Sequence, residues 1–242
     1  MKTSQLLLSL FLSLIFVPIQ AQWNKKIIGN GTIVTETRNV SNYDKIILNG
    51  NIEATIISGD EGTITLEGDE NILAHIEVFT KKDVLKIKSK DYTELRPSKN
   101  TIIHIIIPVK EISELEVNGS GGIKGDFSLK SDQIKLNVNG SGDIEVAVNT
   151  KKVIAAVTGS GDIDVSGKSN YFNAVVTGSG DIDGEQLSSN ICNGKVIGSG
   201  DIKFYAEEEL DAKILGSGDI KINKSVKRIK KKIVGSGDVT KK

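Results

Sequence analysis

Hydrophobic and polar residues alternate along the second half of the chain in short blocks that recur about every twenty residues. Six blocks share the tetrapeptide Gly-Ser-Gly-Asp, and a degenerate copy, Gly-Ser-Gly-Gly, precedes them. The first glycines of the seven copies are Gly119, Gly140, Gly159, Gly178, Gly198, Gly216 and Gly235. Their successive spacings are 21, 19, 19, 20, 18 and 19 residues. A near-constant period of this length is typical of a solenoid, in which each repeat is one coil stacked on the last.

Aliphatic residues flank the tetrapeptide at fixed distances. Two residues before the first glycine they form the column Val138, Val157, Val176, Val196, Ile214 and Ile233. Directly after the tetrapeptide they form the column Ile144, Ile163, Ile182, Ile202, Ile220 and Val239. This alternation predicts two strands per coil, each with one buried face. Equivalent strands of successive coils would then lie parallel, about 4.8 Å apart.

The pattern therefore predicts an all-β protein, a single-stranded parallel β-helix with coils of about 19 residues. Right-handed crossovers between parallel strands are the general rule, so we expect a right-handed helix. The first half of the chain lacks the tetrapeptide but also alternates, in the runs 32–38, 45–48, 52–57, 63–66, 76–79, 84–87 and 102–107. We interpret residues 27–117 as less regular opening coils, and Gly50 as the centre of a shortened corner.

The tetrapeptide is predicted to be a tight corner between the two strands of a coil. Two glycines within three residues supply the positive φ angles that such a corner needs. The serine hydroxyl and the aspartate carboxylate are expected to accept hydrogen bonds from backbone N–H groups outside the strand ladders. In this interpretation the repeated residues are structural.

A metal-binding interpretation of the same aspartates stays open. In register, they would form a column of like charges about 5 Å apart, which is unfavourable unless cations, N–H donors or solvent screen it. The members of the column are Asp143, Asp162, Asp181, Asp201, Asp219 and Asp238. Calcium prefers oxygen ligands and is the candidate cofactor. A second acidic column, Glu145, Asp164 and Asp183, continues as Lys203 and Lys221, which argues against a dedicated calcium ladder.

The ends and the composition bear on location. Residues 1–21 are predicted to be a secretory signal peptide, with Lys2 before an apolar run over 6–17 and Ala21 before the cut. No second membrane segment is expected.

Cys192 is the only cysteine, so an internal disulfide is excluded, and its inward column predicts a buried, inert thiol. Basic and acidic residues balance at 31 each, which gives no indication of nucleic-acid binding.

The candidate residues for catalysis are few. The two histidines, His75 and His104, lie within apolar segments that we interpret as strands, as outward-facing or satisfied residues. The acids repeat coil by coil, as structural residues do, and no catalytic residue is assigned. β-Helices nevertheless host many polysaccharide lyases and hydrolases, so a carbohydrate-active enzyme is the alternative. Tyr171 and Tyr205 are expected to face outward.

Several segments resemble a known family. The runs 31–38 and 43–50, the segments 69–73 and 85–87, and the later Gly-Ser-Gly-Asp series are similar to the family described as putative auto-transporter adhesin, head GIN domain. The resemblance covers nearly all of residues 22–242. It implies a β-helix-like fold in exported proteins of Bacteroidetes-type bacteria and supplies no catalytic residues.

These observations together predict a signal peptide over residues 1–21 and one β-helix domain over residues 22–242, with regular coils over 118–242. We expect an exported, non-catalytic protein with an adhesin or surface-binding role, located in the periplasm, at the outer membrane or outside the cell. The expected partner is a cell-surface or matrix glycan or protein. Outward residues such as Asn137, Asn139, Thr158 and Thr177 are candidates for the binding face.

Overall fold

The computed structural model describes residues 25–91 and 93–242, and the predicted signal peptide lies outside these residues. Strands dominate the described part of the chain, and the helix is a single turn. In chain order the elements are β1 (Lys25–Ile28), β2 (Ile33–Asn39), β3 (Lys45–Gly50), β4 (Glu53–Ser58), β5 (Thr63–Asp69), α1 (Glu70–Leu73), β6 (Ile76–Lys81), β7 (Val84–Ser89), β8 (Thr93–Arg96), β9 (His104–Val109), β10 (Glu114–Gly119), β11 (Gly122–Gly140), β12 (Asp143–Gly159), β13 (Asp162–Gly178), β14 (Ile182–Gly198), β15 (Ile202–Gly216), β16 (Ile220–Ile222), β17 (Arg228–Gly235) and β18 (Val239–Lys241).

The regular half is a stack of parallel coils. From β11 to β15 each strand begins just after one corner and continues to the first glycine of the next. Neighbouring coils pair in parallel with the corner glycines in register, as Gly159 is with Gly178. The variable links, which the sequence placed between strands, also stay in the ladder, since Thr150 pairs with Ser169. The prediction of a parallel β-helix with coils of about 19 residues is confirmed.

The aliphatic columns form a narrow core between the two faces of each coil. The columns before and after the corner are buried, including Val157, Val176, Ile163 and Ile182. Side-chain volumes are matched between neighbouring coils. Phe172 and Phe204 pack edge to face with their ring centres 5.1 Å apart. A Cβ atom at Gly184 would lie 2.3 Å from the Phe172 ring, so this glycine makes room for the aromatic side chain.

The first half uses the same coil in a different spatial order. All seven alternating runs are strands, and β3 and β4 form a coil with its corner at Gly50. On one side of this coil, β10 stacks on β3 and the start of β11 stacks on β4. On the other side, β7 stacks on β3 and β9 stacks on β4, although both follow them in the chain. The coil of residues 45–58 therefore lies between two later segments.

Antiparallel strands close the amino-terminal end of the stack. β6 pairs with β7, β5 pairs with β9, and β2 pairs with β5, each in the antiparallel sense. Residues 27–117 were expected to form less regular opening coils of the same solenoid, and the antiparallel pairs are part of that irregularity. An edge covered in this way is protected against pairing with another chain. β1 and β8 form a separate two-stranded parallel sheet.

The carboxyl-terminal end carries a charge in an inward position. Lys231 is in register with Ala212, in the column that also holds Ala155, Ala174 and Gly194. Its side chain is exposed, and its Nζ lies 3.8 Å from Oδ1 of Asp238. An inward-pointing charge on an edge strand disfavours the addition of another strand. The lysine-rich β17 thus ends the stack with a poor surface for further coils.

Candidate functional site: the repeated corner and the outer faces

The glycines of the corner allow the coils to stack with their backbones in contact. Gly159 has a φ of 127°, a value that non-glycine residues rarely adopt. The N–H groups of Ser160 and Gly161 both donate to the carbonyl of Gly140 in the preceding coil, at 2.8 and 3.0 Å. A Cβ atom at Gly161 would lie 2.0 Å from the carbonyl oxygen of Gly142. Glycine is therefore required at Gly159 by conformation and by space, and at Gly161 by space.

The shortened corner predicted at Gly50 has the same geometry. Gly50 pairs with Gly119 in register and has a φ of 105°. Its carbonyl accepts the N–H groups of Ser120 and Gly121, at 3.2 and 3.0 Å, as the carbonyl of Gly140 accepts those of Ser160 and Gly161. The glycine column thus has eight members, of which Gly50 is the first in the chain.

The aspartate carboxylates connect each coil to the next. Oδ1 of Asp181 accepts the backbone N–H of Asp201 at 2.7 Å, and Oδ1 of Asp201 accepts that of Asp219 at 2.8 Å. The same contact occurs at every step of the column from Asp143 to Asp238, with distances between 2.7 and 3.2 Å. The carboxylate acts here as a hydrogen-bond acceptor, as predicted, and its donor belongs to the following coil.

The N–H contacts screen the column of like charges at the corner. At Asp201, burial opposes ionisation, but the N–H of Asp219 and the ammonium of Lys221, 2.9 Å from Oδ2, outweigh it and hold the pKa below its ordinary value. Among residues 25–91 and 93–242, no three His, Cys, Asp or Glu side chains converge as a metal site would require. The corner carboxylates therefore have a defined structural partner, and a calcium role stays a prediction to be tested.

The corner serines differ from the prediction. Within the described residues their hydroxyls make no hydrogen bond, and the side chains are exposed. Only the serine backbone N–H takes part in the corner. The expectation that the hydroxyl accepts a local N–H is wrong, because the preceding carbonyl already takes both available N–H groups.

We call the series of aspartate contacts between successive coils the carboxylate relay. It does not extend to the degenerate corner, where Gly122 stands in place of an aspartate. Gly122 is in register with Asp143 and with Glu53. A Cβ atom there would meet only the end of the Glu53 side chain, at 2.7 Å, and otherwise ordinary contacts. The backbone at Gly122 thus leaves space for a side chain, unlike the glycines of the corner itself.

A groove of about 440 Å³ lies beside the second acidic column. Its lining includes Glu145, Asp164, Asp183 and Glu185. Burial and the neighbouring charges of Asp183 and Glu145 raise the pKa of Asp164. At Asp183 burial also opposes ionisation, but the hydrogen bond from Lys203 at 2.7 Å outweighs it and lowers the pKa. The acidic groove is therefore partly neutralised by the lysines that follow in the same column.

The histidines and the cysteine have structural surroundings. His104 lies in β9, as predicted, with its Nε2 2.9 Å from Oγ1 of Thr55. His75 lies in the turn after α1, with its Nδ1 2.9 Å from the carbonyl of Asn71. The placement of His75 in a strand was therefore wrong, because α1 interrupts that apolar segment. Cys192 is fully buried, and burial raises the pKa of its thiol to about 12. The prediction of an inward, unreactive thiol agrees with this position.

The outer face of the strands before the corner changes its side chains along the stack. In the early coils its column next to the corner consists of amides and hydroxyls: Asn49, Asn118, Asn139, Thr158 and Thr177. The asparagines form a hydrogen-bonded ladder, in which Asn118 donates to Asn49 at 3.0 Å and Asn139 donates to Asn118 at 2.9 Å. Tyr171 and Tyr205 are exposed, as predicted.

Asp69 connects two distant loops, a role that the sequence did not reveal. It is almost completely buried, and its two carboxylate oxygens accept the N–H groups of Gly31 at 2.7 Å and Ser98 at 2.9 Å. In the sequence it stands in Gly68-Asp69-Glu70, which has the composition of an exposed turn. Only the fold shows that two distant loops meet around it.

The described residues define the class of the protein as a parallel β-solenoid with a glycine corner and a carboxylate relay. The family described as putative auto-transporter adhesin, head GIN domain matches residues 42–225. This match covers more than half of the chain, so the chain belongs to that family, and the resemblance found in the sequence is confirmed.

Several solved structures have the same fold. A putative adhesin from Bacteroides fragilis has a TM-score of 0.76 and 22% identity, with 88% of this chain and 100% of that chain covered. A putative lipid binding protein from Parabacteroides distasonis has a TM-score of 0.74 and 26% identity, covering 90% and 100%. A putative adhesin from Parabacteroides merdae has a TM-score of 0.73 and 20% identity, covering 90% and 100%. A comparison with curated proteins found no match.

Within the described residues, no helix is long and apolar enough to cross a membrane.

Proposed function

We propose that the protein is an exported, non-catalytic adhesin module that binds a glycan or protein of a cell surface or matrix. The observation that carries the proposal is the regular outer face of the early regular coils. There, exposed amides and hydroxyls stand in register at the spacing of the strands, next to backbones held rigid by the corners. A rigid surface of repeated polar groups suits an extended ligand with a repeat of its own. Family membership supports export and adhesion.

A paired-variant experiment tests this role. Thr158→Arg with Thr177→Arg places two large charges on the proposed face without touching the core. Asn149→Arg with Asn170→Arg adds the same charge at exposed positions of the links and is the matched control. We expect the first pair to abolish binding of protein-coated beads to host cells and matrix, and the second pair to retain it. Equal binding by both pairs, or no binding by the wild-type protein across a broad panel, would reject the proposal.

A carbohydrate-active enzyme is the second candidate, and the acidic groove favours it. Glycoside hydrolases need a carboxyl group that stays protonated near a second one that is ionised, and Asp164 and Asp183 have pKa shifts in those opposite directions. Both residues belong to a column that repeats coil by coil, which is why we rank this function second. Release of reducing ends or unsaturated products from a polysaccharide panel, lost in Asp164→Asn, would establish it.

A further inference from the structure

The outer face changes its chemistry over the last three coils. In the column next to the corner, Thr158 and Thr177 are followed by Ile197, Leu215 and Val234. Leu215 and Val234 are 46% and 59% exposed. Aliphatic side chains of this size are normally turned inward in a β-helix, where the core of each coil already holds its own aliphatic columns. Their exposure in one line requires an explanation.

A line of lysines runs beside the aliphatic residues. Lys195, Lys213 and Lys232 are in register on neighbouring strands, two residues before Ile197, Leu215 and Val234. Among the described residues, only Lys213 of these three has a carboxylate within 4.0 Å, that of Asp211 at 3.5 Å. Like charges in register on adjacent strands repel one another. We name these six residues the lysine–aliphatic strip.

The strip is regular as well as amphipathic. The strands pair without a register shift from Ile191 to Gly198 and throughout the contact of β15 with β17. The irregularities of β14 and β15 lie elsewhere, before Ile191. The strip therefore sets three lysines and three aliphatic residues side by side in two unbroken columns on one outer face.

We propose that the lysine–aliphatic strip docks the protein on the surface of an anionic lipid bilayer. Ammonium groups are attracted to anionic headgroups, and aliphatic side chains beside them enter the boundary between headgroups and acyl chains. A hydrophilic polyanion would explain the lysines but leave Leu215 and Val234 in water. A two-fold contact that set each column against its own copy would bring lysines against lysines. This membrane contact adjoins the adhesin face, since Ile197 pairs with Thr177, but does not depend on it.

Vesicle sedimentation of the intact protein tests the proposal. The probes are vesicles of phosphatidylcholine alone and vesicles with an equal part of phosphatidylglycerol, at low and high salt. We expect binding to the anionic vesicles, weakened by salt. The triple variant Lys195→Gln, Lys213→Gln, Lys232→Gln should bind about a hundredfold more weakly, since each lysine near an anionic surface contributes about a fivefold effect. The control Lys99→Gln, Lys130→Gln, Lys168→Gln removes the same charge at other exposed positions and should bind nearly as wild type.

A second variant tests the apolar part of the strip. Leu215→Thr with Val234→Thr restores the residue type of the earlier coils, and we expect weaker vesicle binding with unchanged thermal stability. Absence of binding to anionic vesicles, or equal loss in both lysine variants, would overturn the proposal. So would equally tight binding of dextran sulfate that the threonine variant leaves unchanged, which would identify a polyanion surface. A concentration-dependent dimer that the lysine variant abolishes would identify an interface between copies instead.

Discussion

Residues 118–242 are connected by one contact repeated in every coil, whereas residues 25–117 depend on contacts that occur once each. In the regular half, the carbonyls of the corner glycines from Gly140 to Gly216 each accept two N–H groups of the next coil, and the aspartates from Asp143 to Asp219 each accept the N–H of the next aspartate. In the first half, Asp69 joins two loops, the Tyr43 hydroxyl donates to the carbonyl of Pro108, and Arg38 donates to the carbonyls of Leu73 and Ile76. Burial, with the charge of Glu61, raises the pKa of Tyr43 well above its ordinary value, so its hydroxyl stays protonated as a donor.

The difference shows how a solenoid distributes its stability. A repeated contact spreads the stabilisation over many coils, so the loss of one carboxylate removes a small share. A contact made once carries the whole connection between distant segments, and its loss leaves buried groups without partners. The corner glycines show the opposite contrast, with the larger loss expected in the regular half. A Cβ atom added at Gly178 would meet the backbone of the preceding coil, whereas one added at Gly50 would have no atom within 4 Å.

The largest effect is expected from paired glycine variants at the corner. Gly178→Ala combines a φ of 126° with a Cβ atom 2.2 Å from the carbonyl of Gly159, and we expect a loss of about 4 kcal/mol in the free energy of unfolding. Gly50→Ala has a similar φ of 105° but no atom within 4 Å of the Cβ, so about 2 kcal/mol is expected. Urea unfolding measures both. Equal losses would show that the contact of the added Cβ atom with the neighbouring coil costs nothing beyond the backbone strain of a positive φ.

A pair of carboxylate variants compares a single contact with a repeated one. Asp69→Ala removes the buried acceptor of two partly buried N–H groups, those of Gly31 and Ser98, and we expect a loss of about 3 kcal/mol. Asp181→Ala removes one exposed carboxylate from a column of like charges, and about 1 kcal/mol is expected. Urea unfolding measures both losses. A larger loss for Asp181→Ala would reverse our account of the two halves.

The fall in the free energy of unfolding at acidic pH should reflect the protonation of Asp69. Burial opposes ionisation of Asp69, but the N–H groups of Ser98 and Gly31 outweigh it, so its folded pKa lies below the ordinary value. The stabilisation from this shift is fully present above the unfolded pKa of about 3.9 and is lost as the pH falls through the folded pKa. Unfolding free energies measured from neutral to acidic pH should therefore converge for wild type and Asp69→Asn. Asp126→Asn, at an exposed position, serves as the control and should follow wild type throughout.

A small gain is expected where the relay begins. Gly122→Asp would place a carboxylate one coil before Asp143, whose N–H it could accept, after a movement of the Glu53 side chain. We expect about 0.5 kcal/mol of added stability relative to Gly122→Ala, which shares the backbone effect but lacks the acceptor. A variant less stable than Gly122→Ala would mean that charge repulsion exceeds the new hydrogen bond.

The sequence predicted the regular half well because each coil provides an independent copy of the same pattern. Aligning seven corners was enough to identify the buried columns, the inward thiol of Cys192 and the acceptor role of the aspartates. The corner at Gly50 was also recognisable by its likeness to the others. The donor to each aspartate was beyond prediction, since the choice between a local N–H and that of the next coil depends on how the coils stack.

The first half could be predicted only as separate strands. Its alternating runs marked the elements, but no repeat related them, so neither the insertion of residues 45–58 between later segments nor the antiparallel pairs followed from the pattern. Asp69 has the sequence surroundings of a turn and gained its role from loops 29 and 38 residues away. The lysine–aliphatic strip was present in the sequence as two columns, but only the fold shows that both lie side by side on one outer face.

Amide hydrogen exchange at Asp201 tests most directly whether the corner aspartates act as links between coils. The N–H of Asp201 donates to the Asp181 carboxylate at 2.7 Å, while the neighbouring N–H of Ile202 donates to the carbonyl of Asp219. In calcium-free buffer we predict that Asp201 is protected in the wild type. In Asp181→Ala we predict that it exchanges at least about tenfold faster, with Ile202 unchanged. Protection of Asp201 that appears only with calcium, or that survives Asp181→Ala, would contradict this account.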